Sequence, residues 1–395
     1  MSEKKLTLEG VMIADLSHAL AAPYCSMILA DHGADVVRIE PVKGDPFRYS
    51  AHGAWNALAN RNKRGISLNL KDEKGKEALK KILSKADVLL ESFTPGTIER
   101  LGFGYDVVSQ INPKIIYCSI SGFGQTGPYR NQRGFDVVAQ AMSGIMLNTG
   151  DADRPPVRVG TSAVDMGAGS YLACGILLSL MDRERTGKGQ RIEVSLFETA
   201  LSWMGPYSVE YSISGQMPQR FGSGFGAFCP YRVFEASDGY VFIGCATDKF
   251  WQAFCAAFDL KELAANPVYS ETKGRLENRE ELDGLVQKAM AGYKISEIVE
   301  RLHKAGVPVA PVLNVKETME DPHAIERDAF ASLDHPEYGQ IKIPRIPIVR
   351  SGKMPEIRKP SPRLGQHTRE VLAEVGYSDE QIEELISSGA AIAAK

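Results

Sequence analysis

The chain has 395 residues, 44% of them hydrophobic and 24% charged, which excludes wholesale disorder and leaves room for two to three domains. Its 46 basic and 49 acidic side chains give a net charge of −3, against a dedicated nucleic-acid binder but not against a local basic pocket for phosphates. Six scattered cysteines with no CxxC pair make no disulfide framework, and the first ten residues lack the apolar core of a secretory signal, so a reducing, cytoplasmic location is expected.

Along the first half, short apolar runs at 11–16, 35–40, 66–70, 88–93 and 114–120 read as strands. Helical patterns lie between them. Residues 21–32 end at Gly33, a suitable helix-stopping glycine, and in 72–86 Ala78, Leu79, Ile82, Leu83 and Ala86 recur at three and four. Apolar strands alternating with helices predict a parallel sheet covered on both faces: a doubly wound, Rossmann-like α/β domain. Residues 162–185 read as one long helix, whose Gly167, Ala168, Gly169, Ser170 and Ala173 would admit another backbone or a ligand. Its most apolar part, 171–181, is shorter than the roughly 20 residues that span a bilayer. A further strand is expected at 190–196.

The pattern then loosens. Residues 212–230 are rich in Gly, Ser, Pro and aromatics, as a linker or active-site loop would be. Asp238-Gly239, between apolar runs at 231–235 and 240–244, signals a hairpin, and helices follow at 250–258, 279–290 and 295–305. Two more are expected at 368–375 and 379–387, the second capped by Ser378. The expected division is a large α/β domain over 1–200, a linker and glycine-rich loop over 201–224, a smaller α+β domain over 225–325, and a return segment with terminal helices over 326–395.

Three motifs carry candidate chemistry, each beside a plainer reading. Gly122-Phe-Gly124-Gln-Thr-Gly127 spells GxGxxG after a strand, but no helix signal begins at the glycines and no acid suited to a ribose follows. A glycine-rich turn explains it better. Asn60-Arg61-Asn62-Lys63-Arg64 gathers three cations before a strand; it is either a solvated turn or a phosphate clamp that Arg100 and Arg133 would join. Asp165, in a small and apolar stretch at a helix start, is either a helix-terminal acid or a reactive carboxylate, and Asp136 reads the same way. The histidines form no HExxH or similar ligand set, so no metal is expected, and no GxSxG elbow is present.

Several segments together resemble the family III CoA-transferases, which include formyl-CoA and carnitine CoA-transferases and the related 2-methylacyl-CoA racemases. They are Leu8-Glu-Gly-Val-Met-Ile-Ala-Asp-Leu-Ser, Ala22-Pro23, Leu29-Ala-Asp-His-Gly-Ala-Asp-Val-Val-Arg-Ile-Glu-Pro, Gly44-Asp45 and Asn62-Lys63-Arg64. Further on come Ala86-Asp87-Val88, Phe93-Thr-Pro-Gly-Thr, Ser121-Gly-Phe-Gly-Gln-Thr-Gly-Pro, Gly187-Lys-Gly-Gln and Pro311-Val-Leu. The resemblance makes the Ser121 segment a family turn and matches Asp165 to the nucleophilic aspartate. It implies CoA contacts at Leu20 and Ala21, although relatives often carry a polar residue at Leu20, and at Pro41, where relatives often have arginine. It extends them to Leu68, Asn69, Leu70 and Lys71, to Ser92 (asparagine in the formyl-CoA branch), Phe93 and Thr94, and to Arg100, Arg133, Gly134, Phe135 and Asp136, with Lys63 and Arg64 as the clamp. Gly222, Ser223 and Gly224 resemble, imperfectly, the loop that covers the active site in the formyl-CoA branch. An interlocked homodimer is implied as well.

The implied chemistry is CoA transfer between an acyl-CoA thioester and a small carboxylic or dicarboxylic acid through an aspartyl-CoA thioester on Asp165, with the CoA thioester as substrate and no resident cofactor. An acyl-CoA racemase is the first alternative. Racemase relatives carry histidine before the acid matching Asp136, where this chain has Phe135, which moves no proton. A non-catalytic CoA-binding protein is the second.

Overall fold

The computed structural model describes residues 6–394. The chain divides into two compact units, one of residues up to Ser143, Gly160–Gly205 and the chain from His323 on, the other of Gly144–Val159 with Pro206–Pro322. Residues 144–159, placed in the large domain by sequence, therefore group with the second unit, and so does most of the expected linker.

The first unit is built on β1 (Met12–Asp15), β2 (Asp35–Glu40), β3 (Arg64–Leu68), β4 (Val88–Glu91), β5 (Ile116–Ser121) and β6 (Arg191–Ser195). The sheet order is 3-2-1-4-5-6, all parallel, with the short strand Ala391–Ile392 added antiparallel at the β3 edge. This is the doubly wound order, whose switch point lies between β1 and β4 and opens a crevice at the carboxyl ends of the strands. Strands β1 to β5 are almost wholly buried, as parallel sheets covered on both faces require, while the edge strand β6 is partly exposed.

Helix α1 (Ala21–Asp31) follows β1 and ends before Gly33, whose φ of +105° confirms the helix stop. Helix α2 (Glu73–Lys85) starts at Asp72, whose carboxylate accepts the Lys74 N–H, and buries Ala78, Leu79, Ile82 and Leu83 completely. Each such large aliphatic side chain contributes about 1.5–3 kcal/mol on removal from water. Helix α3 (Asp136–Ser143) follows the long turn after β5, and α4 (Ala163–Thr186) is the long helix expected from the sequence.

Among the described residues α4 is the one helix long and apolar enough to cross a bilayer. One face of it is spent inside the unit, where Val164, Ala168, Leu172 and Ile176 are fully buried. A Cβ on Gly169 would lie 2.4 Å from the Ala21 carbonyl oxygen, so what the small residues admit is the backbone of α1. Tyr171, Leu178 and Met181 remain exposed.

The second unit pairs β7 (Tyr231–Ala236) with β8 (Gly239–Gly244) as the Asp-Gly hairpin, and adds β9 (Val309–Pro311) antiparallel to β8. Trp251, Phe254, Leu282, Val286, Met290, Ile298 and Leu302 fill its core. A hairpin of Phe330–His335 and Gly339–Pro344, absent from the sequence reading, belongs to the first unit.

Candidate active site

Asp165 sits in the first turn of α4, where N–H groups lack intrahelical partners. Ser162 provides no side-chain cap. Asp136 does so instead: its Oδ2 accepts the Val164 N–H at 2.8 Å and the Asp165 N–H at 3.1 Å, while Oδ1 accepts Gln140 Nε2 at 2.5 Å. Asp136 is 5% exposed and fully engaged. The Asp165 carboxylate is half-buried and forms no ion pair among the described residues. Burial, with the Asp136 charge added to it, raises its pKa to about 7. Gly167 lies under Trp203, where a Cβ would meet the indole at 2.0 Å. Four residues on from Asp165, Gly169 touches Ala21, so the carboxylate stands about one helical turn from the amino end of α1.

Ahead of α1, the switch point holds a cavity of about 660 Å³. Its walls come from the carboxyl ends of four strands: Leu16, Ser17 and His18 after β1, Ile39 to Pro46 after β2, Leu68 to Lys71 after β3, and Phe93 after β4, closed by Leu101. Apolar walls with the exposed cations Lys43 and Lys71 suit a planar apolar group carrying an anionic tail. At the crevice, Ser92 Oγ accepts the His18 N–H at 2.9 Å and lies 3.0 Å from His18 Nδ1. Burial, with help from Arg38, keeps the His18 imidazole below its usual pKa. Glu91, 2% exposed, accepts the Phe93 N–H at 2.8 Å, and burial lifts its pKa to about 7.

Beneath the cavity lies a buried ionic network. Arg38 Nη2 donates to Asp45 at 2.5 Å, and Arg48 pairs with Glu40. Lys63 Nζ lies 3.1 Å from Asp15, 3.0 Å from the Pro23 carbonyl and 2.9 Å from Asn60 Oδ1. Burial opposes the Asp15 charge, yet Lys63, Arg38, Ser17 and Ser26 outweigh it and hold that carboxyl far below the usual range. The Lys63 ammonium is itself lowered to about 8 by burial.

These contacts correct the clamp reading of residues 60–64. Lys63 and Arg61 are fully buried, and Arg61 is committed to Asp31 at 2.7 Å. Arg64 is held by Asp35, Glu370 and Glu374. Arg61 and Lys63 also precede β3 in the chain and Arg64 is its first residue, whereas the cavity is lined by Leu68 to Lys71 at its other end.

The other sequence candidates divide. Pro41, Leu68, Asn69, Leu70, Lys71 and Phe93 line the cavity, and Ser92 braces it. Leu20 is buried just before α1, and Ala21 is the first residue of that helix. Thr94 and Arg100 are exposed beyond β4, with Arg100 Nη2 donating to Thr97. Arg133 and Phe135 are exposed ahead of α3. Gly134 crosses Gly122 so closely that a Cβ on either would meet the other's Cα within 2.5 Å, and no helix begins at the glycines of 122–127. The GxGxxG segment is thus a turn. Gly222, Ser223 and Gly224 lie in the second unit; Gly222 N–H donates to the Gly150 carbonyl, and Ser223 Oγ accepts the Val233 N–H at 3.0 Å. Sequence reasoning missed Lys43 and His18 as cavity residues, although each lies within or beside a quoted family segment.

The fold and these features define an α/β enzyme with a switch-point cavity and a carboxylate of raised pKa near it. The sequence profile of CoA-transferase family III matches residues 8–368. The human succinyl-CoA:glutarate CoA-transferase is 36% identical over 97% of this chain and 89% of its own length. The acetyl-CoA:oxalate CoA-transferase of Acetobacter aceti is 38% identical over 92% of this chain and 95% of its own. The crystal structure of a CAIB/BAIF family protein from Brucella suis superimposes with a TM-score of 0.87 at 32% identity, covering 94% of this chain and 100% of that one. The chain belongs to CoA-transferase family III, and it is a CoA-transferase that uses a CoA thioester as substrate.

Proposed function

We propose that this enzyme moves CoA from an acyl-CoA donor to a small dicarboxylic acid, with Asp165 as the nucleophile. The observation that carries the reading is the Asp165 carboxylate: in a first helical turn, backbone fixed by Asp136, no ion pair among the described residues, pKa near neutrality. An Asp165 oxygen attacks the thioester carbonyl, the C–S bond breaks, and CoA thiolate leaves a mixed anhydride. The thiolate attacks the aspartyl carbonyl, releasing the first acid and forming aspartyl-CoA. The acceptor carboxylate repeats both steps in reverse, so Asp165 and CoA are regenerated in balance and no external acid, base or oxidant is consumed.

The switch-point cavity receives the nucleotide end of CoA in this reading. Lys43 and Lys71 meet its phosphates, and Lys43 supplies the cation that Pro41 cannot. Relatives named for glutarate, oxalate, L-malate and mesaconate favour a dicarboxylate acceptor. The exposed apolar side chains of α4 suit an interlocked homodimer, and six unpaired thiols suit the cytoplasm.

The test incubates the enzyme with succinyl-CoA or acetyl-CoA and a panel of mono- and dicarboxylates, read by mass spectrometry for new CoA thioesters. Hydroxylamine trapping with donor should label Asp165, and Asp165→Asn should abolish transfer while still binding CoA. Labelling at another residue, or transfer retained in the variant, overturns the assignment.

A further inference from the structure

We propose that Asp45 is a positioning residue for acyl-CoA binding, acting by holding Ala19 in a backbone conformation that alanine resists. The inference rests on the reading that the switch-point cavity receives CoA. Ala19 has a φ of +62°, in the left-handed region that costs an L-residue with no polar side chain to compensate. It stands between His18, which lines the cavity, and Leu20, which leads into α1. Strain at such a place persists only when the surroundings over-determine it.

They do so here. The Ala19 N–H donates to Asp45 Oδ2 at 3.1 Å. The preceding His18 N–H is held by Ser92, and the Ser17 carbonyl accepts Arg38 Nη1 at 2.9 Å. Asp45 is fixed in turn: Oδ2 accepts Arg38 Nη2, Oδ1 accepts the Phe47 N–H at 2.8 Å, and its own N–H donates to Glu40 Oε1 at 3.0 Å. A carboxylate on a residue 8% exposed and a wholly buried arginine thus both bond this turn of backbone. Neither takes part in the transfer chemistry. Without Asp45 the turn relaxes to negative φ, and the cavity wall at His18 moves with it. The cost falls on acyl-CoA binding rather than on the anhydride steps at Asp165.

The test is a double-mutant cycle of Asp45→Ala and Ala19→Gly, read by calorimetric titration of the full chain with CoA and by acyl-CoA KM and kcat. Asp45→Ala should weaken CoA binding about tenfold, with kcat falling far less. In the Ala19→Gly background the same substitution should cost about fivefold less, because glycine adopts positive φ unaided. Equal losses in both backgrounds would overturn the proposal and leave Asp45 a general core residue. Should Asp45→Ala fail to fold, Asp45→Asn is carried through the same cycle; it keeps an oxygen for the Ala19 N–H, so CoA affinity should stay within about twofold of the parent in both backgrounds, and a tenfold loss of equal size in both would overturn the proposal by showing that the charge toward Arg38, not the Ala19 restraint, is what matters. A separate variant, Val42→Trp, fills the cavity. Unchanged CoA affinity in that variant would instead refute the cavity reading itself, whatever the cycle shows.

Discussion

Asp136 Oδ2 lies 3.1 Å from the backbone nitrogen of Asp165, so one carboxylate caps the helix turn that presents the other. The arrangement cuts two ways. The hydrogen bonds fix the Asp165 backbone, while the negative charge of Asp136 adds to burial in raising the Asp165 pKa to about 7. A nucleophile must be ionised, so the kcat/KM of the free enzyme should rise with pH through that value.

Asp136→Asn separates the two effects. Asparagine keeps an oxygen for the Val164 and Asp165 N–H groups but removes the charge. The acid limb of the kcat/KM profile, measured from about pH 5 to 9, should move down by about one unit. An unmoved limb would mean that burial alone sets the Asp165 pKa.

Glu91 gives a stability prediction of defined sign. Its folded pKa of about 7 lies above the ordinary value of 4.5, so between the two the folded state holds a proton that the unfolded state has released. Stability therefore falls as pH rises through this window, and the loss is complete above it. Glu91→Gln, which still accepts the Phe93 N–H, removes the penalty. It should gain about 3 kcal/mol over wild type at pH 8 and almost nothing near pH 4.5, read by urea unfolding.

Lys63 and the cavity lysines should behave oppositely. Lys63→Ala strands Asp15 in the interior with its main cation gone and should cost about 3 kcal/mol of stability, seen as a lower Tm. Lys43→Ala and Lys71→Ala, at exposed positions, should leave Tm unchanged and raise the acyl-CoA KM about tenfold, more at low salt than at high.

The contrast marks where the sequence is legible. Local periodicity is read well. The strand Asp35–Glu40 and the helix Arg279–Met290 lie where their apolar spacing puts them, because Val37 and Ile39, or Leu282, Val286 and Met290, face one core. The hairpin at Asp238-Gly239 declares itself through its turn. The pairing of distant charges does not. Lys63 looks solvated beside Arg61 and Arg64, since Asp15, Asp31 and Glu370 stand 48, 30 and 306 positions away. The hairpin Phe330–Pro344 is missed for a related reason: both its faces are partly exposed, so its alternation is weak. At the site, spacing alone leaves Asp165 and Asp136 ambiguous, and only the family resemblance ranks Asp165 first. Their hydrogen-bonded relation, across 28 and 29 positions of sequence, needs the fold.

The last prediction concerns Phe135, whose ring is 53% exposed just ahead of Asp136 and the start of α3. Racemisation of a 2-methylacyl-CoA requires an acid and a base on opposite faces of the α-carbon, and a phenyl ring supplies neither. Anhydride exchange at Asp165 needs no base at that place. In D₂O with a 2-methylacyl-CoA and no acceptor, the α-carbon should take up negligible deuterium. Adding a dicarboxylate to the same mixture should move CoA to the acceptor, with the α-hydrogen of the released acid retained. Rapid wash-in without acceptor would show that a second base, other than residue 135, faces the α-carbon. Where the wild type shows none, as expected, the Phe135→His variant becomes informative: wash-in appearing only in that variant would show that the transferase lacks racemase activity for want of this one imidazole.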